Sequence, residues 1–332
     1  MFADFSDRKV ITYSPSFTLP VTHSCANRCL YCGFRRMEDG VMGVEEVDAW
    51  LDRAQGMQCS EVLIISGERV NEVPHIQGQL RGLGFTKFVD YVVAIGQKIL
   101  KRGLLPHTNI GTLEHSEMTR LREVNASMGL MLENSDPLWG NRVHPQKDIG
   151  KRVEAIKNAG QLKIPFTTGI LVGLGESRES RFASLEMISD IQREYGHIQE
   201  VILQNYVLNE QSALPVFPLS LGDWKELISF GNRKMPGVKI QIPPNLNPLW
   251  VDLIFSGAND LGGISGEQDF VNPENPWEGI GVYEKELLTR GVSLIPRLPI
   301  YREFYKKGWY SPRVKEALAG WVNRHEFQYY LQ

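Results

Sequence analysis

Short apolar runs rich in β-branched residues alternate along this chain with longer stretches in which apolar residues return every three or four positions, the pattern of successive strand–helix units. Strands are predicted at 17–22, 61–66, 105–110, 127–132, 166–172, 201–205 and 239–242, with a short eighth at 258–264. Helices are predicted between them at 44–55, 90–101, 115–124, 149–159, 181–195, 221–233 and 248–255. No sequence repeat accompanies the structural one. Eight such units suggest a TIM-like (β/α)8 barrel of the α/β class rather than an open sheet.

In a barrel of this kind the loops at the carboxyl ends of the strands build the active site. Chemically distinctive residues fall at those predicted ends. Cys25, Cys29 and Cys32 follow the first strand, Ser66-Gly67-Glu68 closes the second, His107-Thr108-Asn109 the third and Glu133-Asn134 the fourth. Gly173 to Glu176 follow the fifth, Gln204-Asn205-Tyr206 close the sixth, Pro243-Pro244-Asn245 follow the seventh, and Asn259-Asp260 are assigned to the eighth. Residues 1–266 are therefore expected to form the barrel, and 267–332 a carboxyl-terminal loop and helical extension packed on it, in one domain overall. Within the extension, 267–281 reads as an extended, lid-like loop with Pro273 and Pro276, and Tyr301, Phe304, Tyr305, Trp309 and Tyr310 as a buried aromatic layer.

At 332 residues, with 42% hydrophobic and 23% charged residues, the chain can bury a large core. Its net charge of −3 gives no broad basic field, so nucleic acid is not an expected partner. No apolar run approaches the roughly 20 residues that cross a bilayer, and Met1 to Asp7 lack the signal-peptide pattern. A cytoplasmic, reducing setting is expected, with no membrane partner.

Three of the four cysteines lie within eight residues, Cys25-Ala26-Asn27-Arg28-Cys29-Leu30-Tyr31-Cys32. Structural zinc asks for four ligands, commonly as two C-x2-C pairs or with paired histidines, and Cys59 is too far along the chain to complete such a set. A disulfide framework suits neither the length nor the expected compartment. A 4Fe-4S cluster takes one thiolate per iron, and three ligands leave one iron open.

This C-x3-C-x2-C spacing, with an aromatic residue before the last cysteine, resembles the radical S-adenosylmethionine (radical SAM) superfamily. The resemblance implies that Cys25, Cys29 and Cys32 ligate the cluster, that SAM chelates the open iron, and that reductive cleavage yields a 5′-deoxyadenosyl radical. It also implies cofactor-binding roles: Tyr31 near the adenine, Ser66, Gly67 and Glu68 as a variant Gly-Gly-Glu motif on the methionine ammonium, and Glu133 on the ribose. Arg152 would pair with the SAM carboxylate, and Gly169, Ile170, Leu171 and Gly173, in a GxIxGxxE-like run ending at Glu176, would read the adenine edge.

Several stretches further resemble the small subunit of FO synthase, a family of deazaflavin biosynthesis: Ile11 to Pro15, Tyr31 to Arg35, Leu105 to Asn109, Ile164 to Leu171, Glu200 to Asn205, Asn259 to Ser265 and Asp269 to Glu274. Leu261 stands where the family pattern suggests Trp. This resemblance implies a radical SAM carbon–nitrogen lyase. Hydrogen abstraction from the 5-amino-5-(4-hydroxybenzyl)-6-(D-ribitylimino)-5,6-dihydrouracil adduct would lead, with loss of ammonia, L-methionine and 5′-deoxyadenosine, to FO. The adduct would come from a partner radical SAM enzyme, the large subunit of FO synthase, and the electron from a ferredoxin or flavodoxin. Asn109, Gln204, Asn205, Asn245 and Asn259 are candidate substrate contacts, and Asp260 and His107 candidate catalytic proton carriers. His144 reads as structural. Rival readings are a related cyclase of the menaquinone (futalosine) pathway, a sulfur-inserting enzyme of the biotin-synthase kind, and a non-catalytic metal-binding barrel.

Overall fold

The computed structural model describes residues 9–36, 39–212, 214–266 and 269–332. Its nine strands are β1 (Lys9–Thr22), β2 (Glu61–Ser66), β3 (Leu105–Asn109), β4 (Ser127–Gly129), β5 (Phe166–Val172), β6 (Ile198–Asn205), β7 (Lys239–Gln241), β8 (Asp260–Ile264) and β9 (Val292–Pro296). All neighbouring strands pair parallel, in the order β2-β3-β4-β5-β6-β7-β8-β1, and β1 pairs again with β2, closing an eight-stranded barrel. This is the predicted α/β barrel.

The helices are α1 (Val44–Gly56), α2 (Pro74–Gly82), α3 (Phe88–Lys101), α4 (His115–Arg122), α5 (Pro137–Val143), α6 (Ile149–Gln161), α7 (Arg178–Tyr195), α8 (Leu221–Lys234), α9 (Trp250–Phe255), α10 (Ile280–Leu288), α11 (Arg302–Lys306) and α12 (Pro312–Val322). Side-chain caps define several starts: Asp148 accepts from Lys151 N–H at α6, Ser177 from Ser180 N–H at α7, and Ser220 and Asp223 form a reciprocal box at α8. One apolar stripe of each long helix packs on the outward-facing side chains of the strands. Phe17, Leu19 and Val21 of β1 and Val62 and Ile64 of β2 are fully buried in that layer.

Strand β1 is longer than predicted. Its first half carries β9, which pairs from Lys9↔Val292 to Tyr13↔Pro296 and ties the carboxyl-terminal segment to the amino-terminal mouth of the barrel. The strand β9 and the helices α2, α5 and α10 to α12 were not separately predicted. Pairing in β4 stops at Gly129, short of the predicted 132. Beyond it the chain turns, and Glu133, at φ +71°, makes a single bridge to Ile170 of β5. Of the lid-like loop expected at 267–281, Glu267 and Gln268 lie outside the described residues.

Two candidate site residues sit elsewhere than expected. Asp260 opens β8 instead of ending it, opposite Thr12 near the start of β1, so with all strands parallel it lies at the amino-terminal mouth. Its fully buried carboxylate accepts from Arg297 Nε (2.7 Å), Arg297 NH2 (3.0 Å), Tyr301 OH (2.8 Å) and Thr12 Oγ1. Glu200 joins this cluster through Arg297 (2.8 Å) and Tyr301 (3.1 Å). Asn259 precedes the strand, and its side-chain oxygen accepts from Ile240 N–H (3.0 Å). Both residues brace the base of the barrel, because Asn-Asp here starts a glycine-rich strand instead of capping one.

No helix among the described residues is long and apolar enough to cross a membrane.

Candidate active site

The segment after β1 leaves the barrel at its carboxyl-terminal mouth and folds over it as the three-cysteine loop. Glu68 at the end of β2 holds this loop directly: its N–H donates to Cys25 Sγ (3.2 Å), its carbonyl accepts from Ala26 N–H (3.0 Å), and its carboxylate accepts from Asn27 Nδ2 (3.0 Å). Gly67 sits so close beneath the loop that a Cβ there would lie 2.6 Å from Cys25 Cα. Farther along, Leu30 N–H bonds Val143 O (2.8 Å), and Asn209 Nδ2 donates to Tyr31 O (3.0 Å). The loop is thus fixed by β2, α5 and the segment after β6.

A ring of buried charges lies against the thiols. Arg152 of α6 donates to Glu68 Oε2 (2.8 Å) and Met131 O (2.8 Å), and Thr112 Oγ1 donates to Glu68 Oε1 (2.8 Å). Lys147 bridges Glu133 Oε1 (2.6 Å) and Tyr31 OH (2.9 Å). Burial alone would raise the Glu68 and Glu133 carboxyls, but Arg152 and Lys147 outweigh it and hold both below the usual range. Burial would likewise lower Lys147, and Glu133 overcomes it, so this lysine stays charged. Burial pushes the Cys29 thiol up to about 11 against the pull of Lys147, so iron must displace its proton on binding.

The donor set fits an iron–sulfur cluster. Cys25, Cys29 and Cys32 are free thiols near enough to perturb one another electrostatically, while the fourth cysteine, Cys59, is buried with its thiol on Ser16 O (3.5 Å). Among the described residues no three His, Cys, Asp or Glu side chains converge where one metal ion could sit. A cubane asks instead for thiolates on separate irons. Around the loop, Arg152 Nε and both ring nitrogens of His144 are buried without a hydrogen-bond partner among the described residues, and His144 packs beside Tyr31 at 6.1 Å between ring centroids.

The glycine-rich run ends β5 as expected. Gly169 has Ile202 Cβ 2.9 Å from where its own Cβ would lie, and Gly173 and Gly175 take φ +98° and +77°, which an L side chain resists. Glu176 turns back on this turn, accepting from Gly173 N–H (3.0 Å) and Leu174 N–H (2.8 Å), with Arg181 on its carboxylate (3.0 Å). Ser66 Oγ donates to Gly67 O (2.7 Å).

Below the ring the barrel is hollow, with a cavity of about 180 Å3 whose walls include His107, Asn109, Gln204 and Asn245. His107 Nδ1 meets Ser127 Oγ (2.7 Å), and burial lowers its pKa, so the ring is neutral near pH 7. Asn245 donates to Asp269 Oδ2 (2.8 Å) and Asn275 O (2.9 Å), leaving its Oδ1 buried without a donor among the described residues. Asn205 is spent bracing Leu246 O (2.8 Å). Sequence reasoning missed Lys147, Asn27 and Thr112 in the upper ring. Asn27 alone had a signal, its place inside the cysteine motif.

A closed parallel barrel with three unpaired thiols on the loop after its first strand defines a radical SAM enzyme, and the model of the radical SAM superfamily matches residues 19–188. Its cofactors are a 4Fe-4S cluster and SAM. More narrowly, the chain belongs to the family of 7,8-didemethyl-8-hydroxy-5-deazariboflavin synthases. It is 44% identical to that synthase of Archaeoglobus fulgidus over 96% of this chain and 97% of the relative, and 42% identical to that of Methanosarcina mazei over 92% of each. Among solved structures, the [FeFe]-hydrogenase maturase HydG superposes with a TM-score of 0.71 at 18% identity, covering 96% of this chain and 71% of that one. Methylornithine synthase gives 0.68 at 17% identity, covering 91% and 86%. At these identities the two structures share the fold.

Proposed function

We propose that this chain is a radical SAM carbon–nitrogen lyase that forms the deazaflavin FO from the hydroxybenzyl–ribityliminouracil adduct, releasing ammonia. The observation that carries the reading is the joint placement of the thiol loop and the Glu68–Arg152–Glu133–Lys147 ring over a barrel cavity with a polar floor, in a chain that aligns with a deazariboflavin synthase over 96% of its residues. When bound, the cluster and SAM supply the 5′-deoxyadenosyl radical that abstracts hydrogen from the adduct.

The remaining roles fall to this chain's own groups. Cys25, Cys29 and Cys32 hold the cluster, and the N–H of Glu68 on Cys25 Sγ stabilises thiolate charge there. Ser66, Gly67 and Glu68 receive the SAM ammonium, Arg152 its carboxylate, Glu133 and Lys147 the ribose. Tyr31, with Gly169 to Leu171 and Gly173, holds the adenine. Asn109, Gln204 and the unfilled oxygen of Asn245 offer hydrogen bonds to the uracil. His107, neutral and inside the cavity, is the candidate to carry a proton during ammonia loss. The buried walls keep water and foreign hydrogen donors from the radical.

The adduct would come from a partner radical SAM enzyme, the electron from a ferredoxin or flavodoxin, and the setting would be the reducing cytoplasm. Residues 269–332 act with the barrel as one unit, since Arg297 and Tyr301 complete its base. Anaerobic incubation of reconstituted, reduced enzyme with SAM and the adduct should yield a fluorescent deazaflavin and one 5′-deoxyadenosine per product. SAM cleavage without that product would favour the cyclase.

A further inference from the structure

Barrels of this type are ordinarily filled by branched apolar side chains from the inward-facing strand positions. Here many of those positions are polar, with Leu63 of β2 and Ile202 of β6 as apolar exceptions in the cavity wall. Ser14, Ser16 and Thr18 alternate along β1 with the apolar residues that face the helices, and the cavity wall includes Glu61 of β2, His107 of β3, Thr167 of β5, Glu200 of β6 and Gln241 of β7. The lumen thus keeps a polar floor between apolar neighbours and can receive a polar group.

Its acids differ in one respect. Glu200 is satisfied by Arg297, Tyr301 and Thr167, and Asp269 by Val271 N–H, Asn272 N–H and Asn245. Glu61 is buried and meets only the hydroxyls of Ser14 (2.5 Å) and Ser16 (3.2 Å); among the described residues no cation pairs with it. A buried carboxylate so placed is costly unless further donors reach it. Beside it His107 commits one ring nitrogen to Ser127, and among the described residues nothing hydrogen-bonds the other.

We infer that the lumen floor around Glu61 is a polyol subsite that takes the ribityl arm of the adduct. This rests on the functional reading above. Asn109 at the end of β3 and His107, which lies beside Glu61 in the cavity wall, are two positions apart, about 7 Å at roughly 3.3 Å per residue, a depth that an extended five-carbon chain spans. Hydrogen abstraction takes place under the cluster loop. The amine that leaves as ammonia is one bond from the carbon bearing the benzyl group and must stay near that level, whereas the ribityl chain is the polar arm long enough to descend. A cavity of about 180 Å3 is below the ~300 Å3 of sites that enclose a whole small ligand; it takes the ribityl arm and the uracil edge that meets Asn109, Gln204 and Asn245, not the entire adduct. The carboxylate, imidazole, hydroxyl and carboxamide groups around Glu61 match the alternating donors and acceptors of a polyol.

The test compares the adduct with an analogue in which a pentyl chain replaces ribityl, titrated calorimetrically into the anaerobic SAM-loaded holoenzyme. Wild type should bind the ribityl form about tenfold tighter or more, because a site built for hydroxyls rejects the ligand that lacks them. Glu61→Gln, nearly isosteric and still able to bond both serines, should narrow that ratio to about threefold and raise KM for the adduct while kcat stays within about twofold. Equal binding of the two forms by wild type, a comparison that needs no variant, would overturn the subsite. So would a ratio unchanged in Glu61→Gln while wild type still makes fluorescent product. Binding of neither form, without product, would instead remove the functional reading.

Discussion

Gly67→Ala is the smallest change that reaches the cluster loop. The new Cβ would lie 2.6 Å from the Cys25 α-carbon, with Ser24 O and Cys25 Cβ closer still, and ordinary van der Waals separation begins near 3.4 Å. Relieving the clash with the α-carbon alone needs a shift of about 0.8 Å, the difference between 3.4 and 2.6 Å, and the atoms in the way are largely backbone, which cannot rotate aside. Glu68, the next residue, carries the N–H on Cys25 Sγ and the carbonyl on Ala26, so the shift is imposed on both anchors of the first ligand. A displacement near 1 Å in a reacting constellation costs about 100-fold in rate. Gly67→Ala should therefore retain iron poorly and cleave SAM about 100-fold more slowly, read as iron per chain, absorbance near 400 nm and 5′-deoxyadenosine by chromatography. Gly78→Ala, in α2 with nothing within 4 Å of the new methyl, is the control and should be neutral or more stable by about 0.5–1 kcal/mol. Wild-type rate and iron content in Gly67→Ala would refute the reasoning.

Arg152→Met strands the buried Glu68 carboxylate and should cost about 3–5 kcal/mol in anaerobic urea unfolding; adding Glu68→Gln should recover most of the stability but none of the SAM cleavage. Arg297→Met should cost a similar amount by leaving Asp260 and Glu200 without their shared cation, whereas adding Asp260→Asn and Glu200→Gln should return much of it; a stable single variant would show that the base network is dispensable. His197 is buried with Nε2 on Ile156 O (2.9 Å), and burial lowers its pKa to about 4. Its folded value lies below the unfolded one near 6.5, so its contribution is complete above about pH 6.5, falls as pH drops toward about 4 and is level below that, a span of about 3 kcal/mol. His197→Gln should flatten that part of the Tm-against-pH curve, and an unaltered slope would exclude this histidine as its source.

How much of this was legible in the sequence follows from which physical rules are local. The strand–helix alternation is local, and apart from the early start of β1 the eight barrel strands and seven of the helices fall within a few residues of their predicted places. The thiol loop and Ser66 to Glu68 are carried by motif spacing, Glu133 and Arg152 by what the resemblance to the radical SAM superfamily implies, and the fold brings them together. Lys147 carries no such signal: in Gln146-Lys147-Asp148 it reads as a solvated lysine, and only the packing of the segment before α6 against Tyr31 and Glu133 buries it. Asp260 shows the opposite failure. A polar pair beside a short glycine-rich strand looks the same at either end, and which mouth it faces is decided by its pairing with Thr12 and by Arg297 from beyond β9, both remote in sequence. The early part of β1 is hidden for a related reason: Ser14 and Ser16 look like loop residues until the lumen they face is known to be polar.

The most direct measurement is electron paramagnetic resonance of the anaerobically reconstituted, reduced protein before and after addition of SAM, with iron and sulfide counted on the same sample. Three thiolates on a four-iron cube leave one iron for SAM, so about four irons and four sulfides per chain and a spectrum that shifts on SAM addition are expected. A spectrum indifferent to SAM, or zinc without sulfide, would contradict it.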